Sequence, residues 1–328
     1  MIYLAAAALI LSFAILFKCA DYFVDGASDV ARILQLPKLI VGIVLIGLAT
    51  TAPEFAVSVN AAFRNHPEIA LGNAIGSVIA DDCLALGLAA FFACSVIFVN
   101  CRMLRIIGSF LLSIDLLAYF LARNGVIGRW EGLFLVSLLT VYFYIIFRNR
   151  NYQQRSLPVL DPEPDQTGAA CPKGERRALL KKPLLYILLG LGGVILTSEI
   201  IVRSAVYIAE YFSVPEIIIG STVIAIGTSL PEISTCITAA RKGEGELAVG
   251  NILGADVLNI LWIVGMAALV KPIHVESEIV NFKFPFMIMV VLVMLICLRI
   301  GCRHSRFKGL VLLSCYVLYI TLTIQLFI

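Results

Sequence analysis

Charged side chains are scarce in this sequence. Of its 328 residues only 14% are charged, and 60% are apolar. A soluble domain is usually near half apolar and about a quarter charged, so the composition excludes an ordinary soluble protein. The nine cysteines include no C-x-x-C pair and lie mostly within apolar runs. We therefore predict that they are small buried hydrophobes, neither disulfide-bonded nor ligands of a metal.

Long apolar runs are abundant. A run of about 20 apolar residues crosses the hydrocarbon core of a bilayer. Ten such runs occur, at 2–24, 37–63, 68–98, 104–122, 126–147, 184–211, 215–240, 246–270, 280–299 and 307–327. The first lacks the basic start and small-residue cleavage site of a signal peptide, and we interpret it as a retained helix. The predicted fold is an all-α polytopic membrane protein with ten transmembrane helices.

Lysine and arginine are divided unevenly among the loops. If the N-terminus lies outside, eighteen basic residues fall on the inner side and six on the outer side, with Lys18 within the first helix. Short loops rich in lysine and arginine stay in the cytoplasm. We expect a multi-pass protein of the cell (inner) membrane, with the N-terminus and the C-terminus outside.

One polar stretch separates two groups of five helices. Residues 149–182 carry Pro158, Pro162 and Pro164, the acids Asp161, Glu163 and Asp165, and then a basic run from Lys173 to Lys182, with too few apolar residues to form a core. The predicted divisions are a first half at 1–148, a cytoplasmic linker at 149–182 and a second half at 183–328.

The two halves contain a repeated segment. Residues 36–87 and 214–265 align without a gap, at an offset of 178 residues (232 minus 54). The identical pairs include Pro37/Pro215, Gly42/Gly220, Thr50/Thr228, Pro53/Pro231, Glu54/Glu232, Gly72/Gly250, Asn73/Asn251 and Gly76/Gly254. Because each half has an odd number of helices, the second copy is predicted to lie upside down in the membrane. Inverted repeats of this kind, here at about 36–90 and 214–268, are typical of secondary transporters.

Each repeat begins with a proline and a glutamate inside an apolar run, T-T-A-P-E at Thr50 to Glu54 and T-S-L-P-E at Thr228 to Glu232. Proline has no N–H and opens a helix by about a turn. A carboxylate in a bilayer costs at least about 2.5–3.5 kcal/mol and normally faces a cavity that serves a function. A proline kink with a structurally bonded glutamate is the alternative, and the repetition argues against it.

A second element follows in each repeat, G-N-A-I-G-S-V-I-A-D from Gly72 and G-N-I-L-G-A-D-V-L-N from Gly250. Asn73, Ser77 and Asp81 lie along one helical stripe. The glycines form another stripe, which allows helices to approach closely in lipid.

Together the two elements predict one midplane site for hard cations. Calcium takes six to eight oxygen ligands, and the pattern contains no thiolate or imidazole cluster for zinc or copper. The predicted ligands of calcium and sodium are the acids Glu54, Glu232 and Asp81 and the neutral side chains Asn259, Thr50, Thr51, Thr228, Ser229, Ser77, Asn73 and Asn251, with Asp82, Asp256, Asp115, Asp21 and Glu199 as weaker candidates. His66, His274 and His304 fall near loops, where we expect them to be solvated.

These motifs resemble those of the calcium/cation antiporter superfamily, in its sodium/calcium exchanger branch. Its signatures, G-T-S-x-P-E and G-N-x-x-G-S-N-x-x-N or -D, appear here as GLATTAPE with GNAIGSVIAD and as AIGTSLPE with GNILGADVLN. The resemblance implies exchange of sodium for calcium by alternating access, with no cofactor and no enzymatic activity. It also implies that Glu54 and Glu232, with Thr50 and Thr228, hold calcium. The prokaryotic type is expected, since the linker resembles no calcium-sensing domain.

Three departures from the family pattern stand out. Asp81 and Asn259 reverse the usual order of asparagine and aspartate, Ala255 replaces a serine, and Val78 replaces an asparagine while Asp82 adds an acid. If the halves are related by a pseudo-two-fold axis, the reversal keeps the charge of the site.

Three other functions remain open from the sequence. A proton/calcium exchanger of the same superfamily is favoured less, because its relatives carry a G-N-A-x-E motif. A cation channel would conduct without a counter-ion. An intramembrane protease would carry a G-x-G-D motif, which this sequence lacks. Nothing points to a nucleic-acid partner, and the oligomeric state is not predicted.

Overall fold

The computed structural model describes residues 2–149, 173–212 and 225–327, and nearly all of them are helical. Within these ranges nine helices are long and apolar enough to cross a membrane. The prediction of a polytopic all-α membrane protein is therefore confirmed. Most of the predicted linker, and the start of the seventh apolar run, lie outside the described residues.

The first half contains seven α-helices, two π-helical segments and two short strands. In chain order these are α1 (Ile2–Leu34), α2 (Lys38–Val41), π1 (Gly42–Gly47), α3 (Leu48–Phe63), α4 (Pro67–Ala80), π2 (Asp81–Ala85), α5 (Leu86–Phe92), β1 (Ile97–Phe98), α6 (Cys101–Ala122), β2 (Val126–Ile127) and α7 (Arg129–Asn149). The second span runs from α2 through π1 to α3, and the third from α4 through π2 to α5.

The described part of the second half follows the same order. Its elements are α8 (Lys173–Tyr211), α9 (Ala225–Thr228), α10 (Leu230–Arg241), α11 (Gly245–Leu258), π3 (Asn259–Val264), α12 (Gly265–Val270), β3 (Ile273–His274), π4 (Ile279–Lys283), α13 (Phe284–Arg299), a 3₁₀ turn (Ile300–Cys302), β4 (Arg303–His304) and α14 (Arg306–Phe327). The segments π2 and π3 begin at Asp81 and Asn259, which are equivalent positions of the two repeats.

The short strands join the two halves. β1 pairs with β4, and β2 pairs with β3, both antiparallel. Hydrogen-bonded strands lie on the same side of a membrane, so the chain between β1 and β4 must cross an even number of times. Five full-length helices lie between them among the described spans. One further crossing is therefore required, and the sequence assigns it to the apolar run at 215–240, of which the structure describes residues 225–240.

Glycine allows close contact between helices of opposite halves. A Cβ built on Gly42 of π1 would lie 2.5 Å from the Leu247 carbonyl oxygen of α11, and Gly250 meets Leu39 in the same way. The stripe predicted around Gly250 and Gly254 is therefore a helix contact. For Gly72 and Gly76, no described atom lies within 4 Å of such a Cβ.

Two cysteines contradict the expectation from the sequence. Cys101, at the start of α6, is disulfide-bonded to Cys302, and their Cα atoms lie 5.4 Å apart. The prediction of unpaired cysteines failed because the pairing follows from the β1–β4 contact. That contact brings together residues 201 positions apart in the chain. Short cysteine motifs such as C-x-x-C cannot predict a pair at such a separation.

Candidate functional site

The two proline–glutamate motifs differ in backbone conformation. In the second repeat the helix is interrupted at Ser229, and Pro231 lies in the first turn of α10. In the first repeat α3 continues through Pro53. The Thr50 hydroxyl lies 3.1 Å from the Ile46 carbonyl oxygen at the end of π1, where it provides a donor for that carbonyl. The predicted opening of the helix is therefore confirmed in the second repeat and wrong in the first.

Glu54 connects the two halves. Its Oε1 accepts a hydrogen bond from Ser77 Oγ at 2.6 Å and one from Ser229 Oγ at 3.3 Å. Its Oε2 is buried without a hydrogen-bond partner. One carboxylate oxygen is thus held by two hydroxyls from different halves, while the other is left for a ligand.

Glu232 lies beside Glu54 from the opposite half. Its side chain is fully buried, and neither carboxylate oxygen accepts a well-formed hydrogen bond. The Thr50 side chain and the Glu54 carboxyl are its neighbours. Four carboxylate oxygens therefore meet near Thr50, and three of them have no hydrogen-bond donor.

Asn251 fixes the arrangement around the glutamates. Its Oδ1 lies 3.2 Å from Thr50 Oγ1, and its Nδ2 donates to Thr235 Oγ1 at 3.1 Å. These contacts tie α3 of the first half to α10 and α11 of the second. Thr235 was not among the residues predicted from the sequence, because the matching position of the first repeat is Val57.

Asp81 and Asn259 reach the same region from the first residues of π2 and π3. Both are fully buried. Asp81 interacts electrostatically with Glu232 and Glu54 and lies next to Ser229, and the Asn259 amide lies next to Glu54. The reversed pair thus lies at the glutamates, as the sequence predicted.

The remaining predicted ligands are less closely associated. The Thr51 hydroxyl is buried without a hydrogen-bond partner, and Thr228 is the half-buried last residue of α9. Asn73 instead donates to Ser58 Oγ at 3.1 Å. Asp21 is bound by Lys242, and Glu199 by Arg203, both in partly exposed ion pairs.

The site is acidic and buried. Glu54, Glu232 and Asp81 are each at most 1% exposed, and the charged groups acting on them are other carboxyls. A cavity of about 1330 Å³ opens beside Lys38 and Glu244, and none of the predicted ligands lines it. In the described ranges no three acidic, histidine or cysteine side chains have the spacing of a metal centre. The oxygens nonetheless fit hard cations, because three of the four glutamate oxygens have no donor.

Another group of acids lies behind Asp81. The carboxyl of Asp82 faces that of Asp256, and Asp115 of α6 interacts electrostatically with both. All three are fully buried. The sequence marked them only as weaker candidates, since none of them is duplicated between the repeats.

His304 corrects a further expectation. It was predicted to be solvated, and His66 and His274 are indeed exposed, but His304 is 1% exposed and its Nε2 lies 3.2 Å from the Leu86 carbonyl oxygen. Burial is the main reason that its pKa is lowered to about 4. Its position in the β1–β4 contact, under α5, removes it from water.

Comparison with known proteins gives consistent matches. The family model described as sodium/calcium exchanger protein matches residues 4–148 and 182–325. The inner membrane protein YrbG of Escherichia coli is 30% identical over 326 residues, 97% of this chain and 96% of that protein. The sodium/calcium exchanger MaX1 of Methanosarcina acetivorans is 28% identical, over 95% of this chain and 96% of its own length. The structure of the sodium-calcium exchanger NCX_Mj superposes with a TM-score of 0.80 at 25% identity, covering 98% of this chain and 99% of that one.

Proposed function

Because the chain belongs to the sodium/calcium exchanger protein family, we propose that it is a secondary antiporter that exchanges sodium for calcium at the Glu54–Glu232 site. The family is one of membrane transporters and not of enzymes. The observation that carries this proposal is the pair of buried glutamates, one from each half, with three oxygens that lack a donor. No cofactor is required, since the ions are the substrates.

Calcium would lie between Glu54 and Glu232, whose two charges neutralise it. Thr50 and Thr228 would add neutral oxygens toward the six to eight that calcium takes. Sodium ions would use the same glutamates together with Ser77, Ser229, Thr51, Asp81, Asn259 and Asn251. Occupation by one ion then excludes the other, because both need the same carboxylates.

Exchange also requires that the site open to one side at a time. Five crossings in the first half would leave the second half upside down, so that the equivalent elements of the two repeats would face opposite sides. A pair of buried carboxylates with no bound ion is costly in a bilayer. The conformational change that moves the opening from one side of the membrane to the other is therefore disfavoured when no ion is bound. This is the physical basis for coupled exchange by alternating access at a midplane site.

The proposed location in the cell rests on the basic residues of the loops and on the similarity to one relative. The distribution of basic residues supports a cytoplasmic linker and both termini outside. The similarity to an inner membrane protein supports the inner, cell membrane as the location.

Calcium uptake into proteoliposomes tests the proposed function. Vesicles loaded with sodium and diluted into sodium-free buffer should take up radioactive calcium, with the pH gradient collapsed by an ionophore. Glu54→Gln should abolish uptake, because it removes one of the two charges that neutralise calcium. Uptake driven by a pH gradient and indifferent to sodium would assign proton exchange instead. Calcium flux that needs no counter-ion would indicate a channel.

A further inference from the structure

A second group of carboxyls lies apart from the Glu54–Glu232 site. It consists of Asp82 of π2, Asp256 of α11 and Asp115 of α6, here called the second acidic cluster. Each residue is fully buried, and none of the six carboxyl oxygens has a well-formed hydrogen bond. Asp82 and Asp256 face each other, and Asp115 interacts electrostatically with each of them.

The second acidic cluster is distinct from the central site. Asp81 and Asp82 are neighbours in π2, yet Asp81 lies toward Glu232 and Glu54 while Asp82 lies toward Asp256. The two groups are adjacent, since Asp81 also interacts electrostatically with Asp256. In the other repeat, the positions equivalent to Asp82 and Asp256 are Ile260 and Val78, and Asp115 lies outside the repeated segments. None of the three acids is thus matched by an acid in the partner repeat, so the cluster is not a by-product of the duplication.

A neutral oxygen provides an independent observation. The Tyr142 hydroxyl of α7 is buried without a hydrogen-bond partner. Tyr142 interacts electrostatically with Asp256, and its ring stacks on Phe110 with the centroids 5.2 Å apart. A buried tyrosine hydroxyl normally has a partner, so this oxygen is left available beside the cluster.

A buried carboxyl either stays protonated or needs a counter-charge when it ionises. The charged groups that act on Asp82, Asp256 and Asp115 are other acids. The available donors are all oxygens, which suit hard cations. We propose that the second acidic cluster, with the Tyr142 hydroxyl, binds an alkali cation such as Na⁺, separately from the central site.

An alkali cation is favoured over calcium by the cost of buried charge. Neutralising calcium would require two ionised carboxylates in this cluster, and each ionised group buried in a bilayer is costly. A monovalent ion needs only one of the three carboxyls to ionise, while the other oxygens and the Tyr142 hydroxyl stay neutral.

Equilibrium binding of radioactive sodium to the purified full-length protein tests this proposal without any transport. The comparison uses wild type, Asp115→Asn, Asp256→Asn and Tyr142→Phe, with Glu54→Gln as the matched control at the central site. We expect Asp115→Asn and Asp256→Asn to lose one bound sodium per chain, and Tyr142→Phe to weaken that ion severalfold. Glu54→Gln should keep it and lose calcium. Sodium binding unchanged in both aspartate variants overturns the proposal, even if exchange by the central site is confirmed.

A second measurement covers variants that fail to fold. Infrared spectra of the folded Glu54→Gln protein report its carboxyl groups directly. Sodium should convert protonated carboxyl bands to carboxylate bands, and an Asp115→Asn change in the same protein should diminish that conversion. Carboxyls that stay protonated at every sodium concentration would show that protons alone neutralise the cluster, and the proposal would be wrong.

Discussion

At the scale of single residues, the acid of the second element lies in the opposite repeat from the family pattern. Asp81 and Asn259 begin equivalent π segments beside the two glutamates. If the halves form one site, the site needs the carboxylate charge, but either half can supply it. We predict that Asp81→Asn lowers sodium affinity about tenfold or more, which corresponds to about 1.4 kcal/mol.

The double variant Asp81→Asn/Asn259→Asp is the matched control. It restores the charge from the other half and should recover most of the sodium affinity in the same binding assay. Asn259→Asp alone adds a fourth acid and should favour calcium over sodium. If Asp81→Asn binds and transports both ions as wild type does, the charge at this position has no role.

His304 gives a prediction for the dependence of stability on pH. Its pKa is lowered in the folded protein, from 6.5 to about 4, chiefly by burial. The unfolded chain therefore binds more protons in that interval, and the stabilisation present above pH 6.5 is lost as the pH falls toward about 4.

Thermal unfolding in detergent across this interval measures the effect. His304→Gln keeps a donor for the Leu86 carbonyl and cannot become charged, so its unfolding temperature should fall less steeply than that of wild type. The exposed His274→Gln serves as the control and should follow wild type. Equal slopes for all three proteins would contradict a lowered pKa of His304 in the folded protein.

Residue-level reasoning from the sequence succeeded where the repeat provided two copies. Glu54, Glu232, Asp81 and Asn259 were predicted from paired motifs and do lie together. His304 was predicted wrongly because its burial depends on a contact with residues far away in the chain. Asp115 was undervalued for a related reason, since only the packing of α6 brings it to Asp256.

At the scale of elements, close contact between helices depends on glycine. The backbones of π1 and α11 meet at Gly42 and Gly250. Gly250→Ala would place a methyl group against the Leu39 carbonyl oxygen, and overpacking of this kind costs about 1–3 kcal/mol. We predict a lower unfolding temperature and slower transport for this variant.

Gly192→Ala is the matched control, because no described atom lies within 4 Å of a Cβ built there. Alanine is the better helix former, so this change in α8 should be neutral or slightly stabilising. The prediction is tested by comparing the unfolding temperatures of Gly250→Ala and Gly192→Ala, and that of Gly250→Ala should be the lower. Equal unfolding temperatures would contradict a close contact at Gly250.

The π segments could not be predicted from the sequence. Apolar periodicity identified the spans but does not distinguish a π turn from an α turn when both faces are apolar. π-helical turns are often found at functional sites, and here π2 and π3 begin at Asp81 and Asn259. The sequence also could not predict that the helix continues through Pro53 but is interrupted just before Pro231, because the two motifs are nearly identical.

At the scale of the whole molecule, the strand pairs interlock the two halves and define the two faces. β1, β4 and the exposed Cys94 lie on one face, which the positive-inside rule predicts to be the inner one. We predict that a variant with Cys94 as its only cysteine is not modified by an impermeant maleimide in right-side-out membrane vesicles, and is modified once they are opened.

A cysteine introduced at the exposed Asn124, on the opposite face, is the control for this topology. It should be modified in sealed vesicles. The reverse pattern would place both termini in the cytoplasm.

The central claim is that one glutamate from each half builds a single site that calcium and sodium share. Equilibrium binding of radioactive calcium to the purified protein, with increasing sodium, tests this claim most directly. Wild type should bind calcium at the site and release it competitively as sodium rises. Glu54→Gln and Glu232→Gln should each lose that calcium completely. Calcium that remains in either single variant, or that sodium does not displace, would contradict a shared site.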